Sequence, residues 1–342
     1  MIDTIYINGR FLSQKITGVQ RFANEVVKKI SIISKKDNIK IVLLCPSNIE
    51  EVNIKNVTIK KIGKTTGYLW EQITLPRYCK KNRIHGLLNL CNLAPIRLKG
   101  NNIVVHDIRV LEKPKEFSFF YRIFFKIFTK INMKKANNIF TVSNFSKKKI
   151  ESTYHIHNVT TVYSGVDHLV AHQYAETSLP NSFFYLSVGS LEANKNFKYV
   201  LEFAKTHPNL YFKIVGGKGK AFADVDYEQL SNVEFLGYVS DEELYSLYKN
   251  AKGFIFPSLY EGFGLPPLEA IAMGTKVVFA SDIEVLHEIY GDTLTYFNPS
   301  DINSLDEVIK TPHIITQDER SNLINKYTWY NTANYIYKKI AK

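Results

Sequence analysis

Short, near-continuous apolar runs alternate with helix-period segments along almost the whole chain. No other feature constrains the fold as strongly. The runs fall at residues 41–45, 86–90, 103–105, 139–142, 159–163, 184–188, 211–215, 233–235, 253–256, 276–280 and 295–297. Runs this short, with little polar alternation, suit parallel strands buried on both faces. Candidate helices lie at 19–34, 71–82, 118–136, 146–154, 199–207, 241–250, 267–273 and 283–290. Ser240 and Glu243 have the spacing of a capping box at the start of the 241–250 helix. Strand–helix alternation over this length predicts an α/β fold.

A chain of 342 residues suits two domains. The stretch 167–182 is polar, holds Pro180 and Asn181, and shows no period, so it reads as a linker. The charge also changes there. Residues 1–170 carry 29 basic and 11 acidic residues, against 15 and 21 in residues 171–342. The overall net charge of +12 is therefore the sum of a basic half and an acidic half. A uniformly basic polyanion binder is excluded, and one half is expected to face something anionic. The expected domains are 1–168 and 169–327, and a Tyr-rich helix candidate at 328–340 follows the second.

The three cysteines, Cys45, Cys79 and Cys91, form no C-x-x-C pair, which argues against a disulfide framework or a zinc site. Met1 leads into a short apolar, strand-like run at Ile5–Ile7 with no signal-peptide pattern, and no run approaches the roughly 18 apolar residues of a membrane span. A cytoplasmic protein with reduced thiols is expected.

The window from Gly253 to Gly274, GFIFPSLYEGFGLPPLEAIAMG, carries the most chemistry. A buried strand runs into a loop with Gly262 and Gly264, and Pro266 and Pro267 suit a helix start. Amide groups of residues 262–265 at that helix end form a candidate anion site. Glu261 and Glu269, with seven residues between them, frame it, and Glu269 is expected in the first helical turn. An ionised carboxylate accepts hydrogen bonds from vicinal sugar hydroxyls. The same window also reads as a Gly/Pro loop with one capping acid.

This E-x7-E window resembles that of the retaining GT-B glycosyltransferases of the group 1 (family 4) type. Further segments resemble the same family in order: Thr17-Gly-Val-Gln-Arg-Phe22, Val105-His-Asp107, Ile139–Lys147 (IFTVSNFSK), Val162–Asp167 (VYSGVD), Ser187–Asn196 (SVGSLEANKN) and Leu236–Val239 (LGYV). The resemblance covers nearly the whole chain. It implies two doubly wound Rossmann-like domains facing across a cleft, an acceptor-side domain first, joined by a returning C-terminal helix at 328–342, and a nucleotide-sugar domain second. It implies that Glu269 holds the ribose, that Glu261 contacts the transferred sugar, and that the Phe263, Gly264 and Leu265 main chain meets the sugar and diphosphate. Lys195 would neutralise the leaving phosphate, where a preplaced cation stabilises charge that develops in the transition state. His106 would face the donor sugar, Gly18 would admit the diphosphate, and Tyr238 and Val239 would line the base. Taken alone, His106 also reads as a cap or core contact, Lys195 as a solvated charge and Gly18 as a turn.

One departure stands out. Where family members carry Arg five residues before the Lys, or directly before it, this chain has Ser190 and Asn194. Lys218 or Lys220 is a candidate substitute. No metal or other cofactor is expected, because Asp224 and Asp226 lie in a polar stretch and not at a strand end.

Residues 113–149 hold ten basic side chains and the single acid Glu116. Arg122, Lys126, Lys130 and Lys134 recur every four residues and share a helix face. Phe120, Phe124, Phe128 and Ile131 fall on a neighbouring stripe. A basic, aromatic amphipathic helix suits an anionic bilayer surface. It equally suits a domain helix with a solvated basic face. No nucleic-acid module is present, and nucleic acid is not an expected partner.

The resemblance implies a retaining hexosyltransferase, mannosyltransferase-like, acting in surface polysaccharide or lipopolysaccharide synthesis. GDP-mannose leads as donor, ahead of UDP- or dTDP-sugars, and the acceptor is a glycan or lipid-linked saccharide. A non-catalytic nucleotide-sugar-binding protein and a GT-B-like epimerase are the alternatives.

Overall fold

The computed structural model describes residues 3–113, 116–170, 183–190, 192–217 and 230–341. The expected linker from 171 onward, Lys218, Lys220, Asp224 and Asp226 lie outside the described residues. The chain forms two compact units, one of residues 1–164 with 328–342, the other of residues 165–327.

Unit 1 is built on seven strands: β1 Thr4–Asn8, β2 Lys40–Cys45, β3 Val57–Lys61, β4 Leu88–Asn89, β5 Asn102–Val104, β6 Asn138–Thr141 and β7 Val159–Thr161. Their order is β3-β2-β1-β4-β5-β6-β7, and every pairing is parallel. Its long helices are α1 Gly18–Ser34 and α2 Phe119–Lys135. Unit 2 has β8 Phe184–Val188, β9 Tyr211–Val215, β10 Val233–Gly237, β11 Gly253–Phe256, β12 Val278–Ser281 and β13 Thr295–Phe297. These run in the order β10-β9-β8-β11-β12-β13, again all parallel. Helices α3 Phe197–Thr206, α4 Asp241–Asn250 and α5 Leu265–Met273 belong to this unit. The α/β fold is the one the alternation predicted, arranged in the two doubly wound units that the resemblance implied.

The last helix, α6 Trp329–Ile340, belongs to unit 1 although it follows all of unit 2. Trp329 is fully buried and meets Phe22 of α1 edge-to-face, with centroids 5.6 Å apart. Thr332 donates to the Tyr163 carbonyl, and Tyr337 donates to Asp37 Oδ2 at 2.6 Å. Aromatic faces joined this way bury area without leaving the phenol unpaired.

The strand runs pack as their composition demands. Phe203, Phe212, Ile214, Ile255, Phe279 and Phe297 share one core in unit 2. Phe125 and Met133 of α2 pack with Ile103, Val105, Ile139 and Ile150 in unit 1. The capping box of α4 is formed, with Ser240 N donating to Glu243 Oε2 at 2.9 Å and Glu243 N to Ser240 Oγ at 3.2 Å.

Helix α2 departs from its expected faces. Its buried positions are Phe125, Thr129, Asn132 and Met133. Arg122 is only half-exposed and its Nε is buried, so the exposed basic row is Lys126, Lys130 and Lys134. Phe124, Phe128 and Ile131 are half-buried. Phe119, Phe120, Ile123 and Ile127 instead share the solvent face with the lysines, Phe120 at 82% exposure. The core takes one apolar stripe, which leaves a second one outside.

Candidate functional site

In unit 2 the chain winds outward from β8 to β10, then returns to β11 on the other side of β8. Open α/β sheets bind ligands at the carboxyl ends of the strands where the order reverses. Here that point lies between β8 and β11. Ser187 Oγ spans it, donating to the Ile255 carbonyl at 2.8 Å. The segments leaving these two strands carry most of the unit 2 candidates.

After β8, residues Ala193–Lys195 form one tight helical turn. Lys195 Nζ lies 2.5 Å from Glu261 Oε1, and both side chains are largely buried. The turn is tied to the loop after β11 at two points. Leu259 N donates to the Asn194 carbonyl at 2.7 Å, and Asn194 Nδ2 donates to the Tyr260 carbonyl at 3.3 Å. Asn194, at a position where relatives of the resembled family carry Arg, is thus buried and braces the loop that presents Glu261.

Gly264 sits at φ +87°, a left-handed conformation that glycine adopts at little cost. A Cβ there would come within 2.6 Å of Leu286 Cδ2. Tyr290 donates its hydroxyl to the Gly264 carbonyl and pins the turn. Phe263 is buried and packs edge-to-face on Tyr327 at 5.6 Å, so its main chain, not its ring, belongs to the site. Leu265 is the first residue of α5, two ahead of the expected start at 267. Pro266 and Pro267 have no N–H, so an anion at this helix end must be met by amides of residues 262–265. The earlier start also corrects the placement of Glu269. It lies in the second turn of α5, buried, and accepts a 3.2 Å hydrogen bond from the Tyr248 hydroxyl.

Tyr238 and Val239 follow β10, the ring of Tyr238 is exposed, and it lies close over the Gly217 backbone. In unit 1, Gly18 opens α1 with nothing within 4 Å of a Cβ position. Thr17 and Gln20 cap that helix reciprocally. His106, two residues past β5, is buried, meets Phe22 edge-to-face at 4.8 Å, and places Nε2 2.8 Å from the Leu90 carbonyl. A carbonyl accepts only, so Nε2 carries the proton in the neutral ring and Nδ1 keeps its lone pair. Burial pushes the His106 pKa below the ordinary histidine value, with the Leu90 contact opposing it.

Lys195, Glu261, Gly264, Leu265 and Glu269 therefore converge on one sheet edge of unit 2, while His106 and Gly18 belong to unit 1. Sequence reasoning missed Tyr248, Tyr290 and the bracing role of Asn194. None carries a spacing signal, because each acts through a contact made by the fold. Among the described residues, no group of three or more His, Cys, Asp or Glu side chains is placed to hold a metal ion.

Comparison with known proteins identifies the family. The family signature described as "Glycosyl transferases group 1" matches residues 173–327. The O-antigen chain mannosyltransferase RfbU of Salmonella typhimurium is 33% identical over 257 residues, covering 72% of this chain and 70% of its own length. This chain belongs to the group 1 glycosyltransferases. O-antigen chain mannosyltransferase B of Escherichia coli is 26% identical over 328 residues and 85% of each chain. Among solved structures, sucrose-phosphate synthase from Thermosynechococcus elongatus superposes with a TM-score of 0.76 at 16% identity, covering 99% of this chain and 98% of its own. At that identity the likeness shows the fold, which is of the GT-B type. The glycosyltransferase is an enzyme of the hexosyltransferase kind, similar to mannosyltransferases.

Proposed function

We propose that this glycosyltransferase transfers mannose from GDP-mannose, with retention at the anomeric carbon, to a glycan or lipid-linked saccharide of a surface polysaccharide. The observation that carries the reading is the Lys195–Glu261 pair at the strand reversal of unit 2, beside the Gly264 turn and the start of α5. The similarity to two O-antigen mannosyltransferases supports the choice of mannose.

The proposed steps follow from the side chains. Glu269 accepts hydrogen bonds from the donor ribose, and Tyr238 and Val239 border the base. The diphosphate meets the amides of residues 263–265 and Lys195, and Gly18 lets a diphosphate approach the backbone at the start of α1. His106 offers Nδ1 to a sugar hydroxyl, and Glu261 accepts from others. The bond from the anomeric carbon to the phosphate oxygen breaks as the acceptor oxygen attacks from the same face. The acceptor proton passes to the departing phosphate oxygen. Lys195 stabilises the charge that develops there, an interaction stronger in the transition state than in the ground state. No metal or other cofactor enters these steps.

Helix α2 supports a location at an anionic bilayer. Phe119, Phe120, Ile123 and Ile127 lie beside Lys126, Lys130 and Lys134 on its solvent face. Apolar side chains enter the acyl boundary while lysines meet anionic headgroups. No helix among the described residues is long and apolar enough to cross a membrane. The proposed setting is the cytoplasmic side of the cell membrane, held peripherally.

Incubation with GDP-mannose, UDP-glucose, UDP-galactose and dTDP-rhamnose tests the function. Nucleotide release with GDP-mannose, and an axial anomeric linkage in the product by NMR, are expected. Preference for a UDP-sugar would overturn the donor, and an epimerised nucleotide sugar would overturn transfer itself.

A further inference from the structure

The strand order of unit 1 also reverses, between β1 and β4. The carboxyl edge at that point holds a buried polar cluster that the steps above do not use. Asn8 ends β1 and Asn89 ends β4. Asn8 Nδ2 donates to Asn89 Oδ1 at 3.0 Å and to Glu71 Oε1 at 2.7 Å. Arg10 Nε lies 3.2 Å from the same Glu71 oxygen. Glu71 is 1% exposed, and its other oxygen, Oε2, has no hydrogen-bond partner among the described residues. Buried polar atoms are nearly always paired, so an orphaned carboxylate oxygen points to a group that binds there.

The local backbone fixes this arrangement. Glu71 stands on a π-helical turn, Trp70–Thr74, a rare geometry frequent at functional sites. Trp70 Nε1 donates to the Ile62 carbonyl at 2.8 Å. Gln72 bridges the Ala94 carbonyl and the Ile96 amide, each at 3.1 Å. The turn is therefore rigid around Glu71. Tyr68, 44% exposed, lies against Arg10, with the guanidinium carbon 4.6 Å from its ring centroid. Tyr68 also meets Phe124 of α2 edge-to-face at 6.2 Å, which joins the cluster to the exposed aromatic helix.

We propose that Tyr68, Arg10 and Glu71 form the acceptor-sugar subsite, taking a neutral hexose unit with vicinal hydroxyls. This rests on the reading of the acceptor as a saccharide. The guanidinium slides along the Tyr68 face, which uncovers Glu71 Oε2; it donates to one hydroxyl, and Oε2 accepts from that hydroxyl's neighbour. The apolar C–H face of the sugar packs on the exposed part of the Tyr68 ring. The charge of Arg10 is already opposed by Glu71, so the pair suits a neutral sugar better than a phosphate. Continuity with α2 places the sugar subsite next to the surface where a lipid-linked acceptor would be anchored.

The probes are methyl α-glycosides of mannose, galactose and glucose, titrated by saturation-transfer NMR against the full chain, Tyr68→Ala and Glu71→Gln. At least one glycoside should bind the wild type. Each substitution should weaken it about tenfold, the size of one charge-assisted hydrogen bond or aromatic contact. Tyr68 is half-exposed, so its variant keeps the test open if Glu71→Gln fails to fold. No binding to the wild type, binding that survives in the folded variants, or displacement of the sugar by inorganic phosphate would each overturn the assignment. GDP-mannose-induced stabilisation is read in parallel. Its absence from the wild type would count against the donor reading, and its survival in both variants separates the two sites.

Discussion

Lys195 Nζ and Glu261 Oε1 stand 2.5 Å apart, so the cation proposed to meet the leaving phosphate is held by the carboxylate proposed to meet the sugar. A diphosphate competes with Glu261 for Lys195. Donor entry would exchange one ion pair for another and release Glu261 towards the sugar hydroxyls. The order of events is then built into the pair. Lys195→Ala should lower kcat about 10²–10³-fold, the usual cost of removing one preorganised oxyanion donor. Glu261→Ala should abolish transfer with the circular dichroism spectrum unchanged. Near-normal turnover in either variant would show that the site is elsewhere.

Two glycines separate conformational need from ligand access. Gly264→Ala forces a Cβ towards Leu286 at a left-handed φ, so unfolding should be easier by about 1–3 kcal/mol. Gly18→Ala meets open space at a helix start and should leave the Tm nearly unchanged. If Gly18 admits the diphosphate, its variant should still weaken donor binding. Calorimetry of both, with and without GDP-mannose, reads the two effects separately.

A ligand that binds only the folded chain raises its stability by about 2.7 kcal/mol at a hundredfold excess over Kd. GDP-mannose should raise the Tm more than UDP-glucose or dTDP-sugars at equal concentration. Glu269→Ala should remove the gain, because the buried carboxylate is the proposed ribose partner. A larger rise with UDP-glucose would reassign the base.

Co-sedimentation with vesicles checks helix α2. Binding should be strong to phosphatidylglycerol vesicles, weak to phosphatidylcholine, and reduced by salt, since charge attraction outside the bilayer is screened. Phe120→Asp should weaken it at any salt, while Lys126→Glu with Lys130→Glu should mainly remove the salt dependence. Equal binding to both lipids at low salt would sink the electrostatic part.

His106 gives a pH dependence with a definite sign. Its folded pKa is depressed, so below the ordinary value of about 6.5 the unfolded chain takes up more protons than the folded one. Its contribution to stability is present at neutral pH and is lost as pH falls below about 6.5. His106→Asn should flatten that part of the Tm profile. An unchanged slope between about pH 5 and 6.5 would show that another group is responsible.

The strands of both sheets were legible because parallel strands buried on both faces leave an apolar run with no other plausible use. Strand β3 was not, since its sequence VTIKK is polar and sits at the sheet edge. The helices 302–308 and 317–326 were missed for a similar reason, each burying only one residue, Leu305 or Leu323. The Glu261–Glu269 window was legible from spacing. The partners that fix it were not, because Tyr248, Tyr290 and Asn194 reach the site through space. Glu71 left one trace, as the only acid between Glu51 and Asp107 in a strongly basic stretch. The exposed face of α2 was misread because several apolar stripes compete for one core, and packing against the sheet selects only one of them.

Helix α6 closes over α1 only after all of unit 2 has been made. During synthesis the first 164 residues therefore wait, with Phe22 lacking its Trp329 neighbour, while another 163 residues leave the ribosome. The unit made first is finished last. A chain cut after Tyr327 would lose nothing from unit 2, yet it would leave unit 1 with an open seam and a tendency to aggregate.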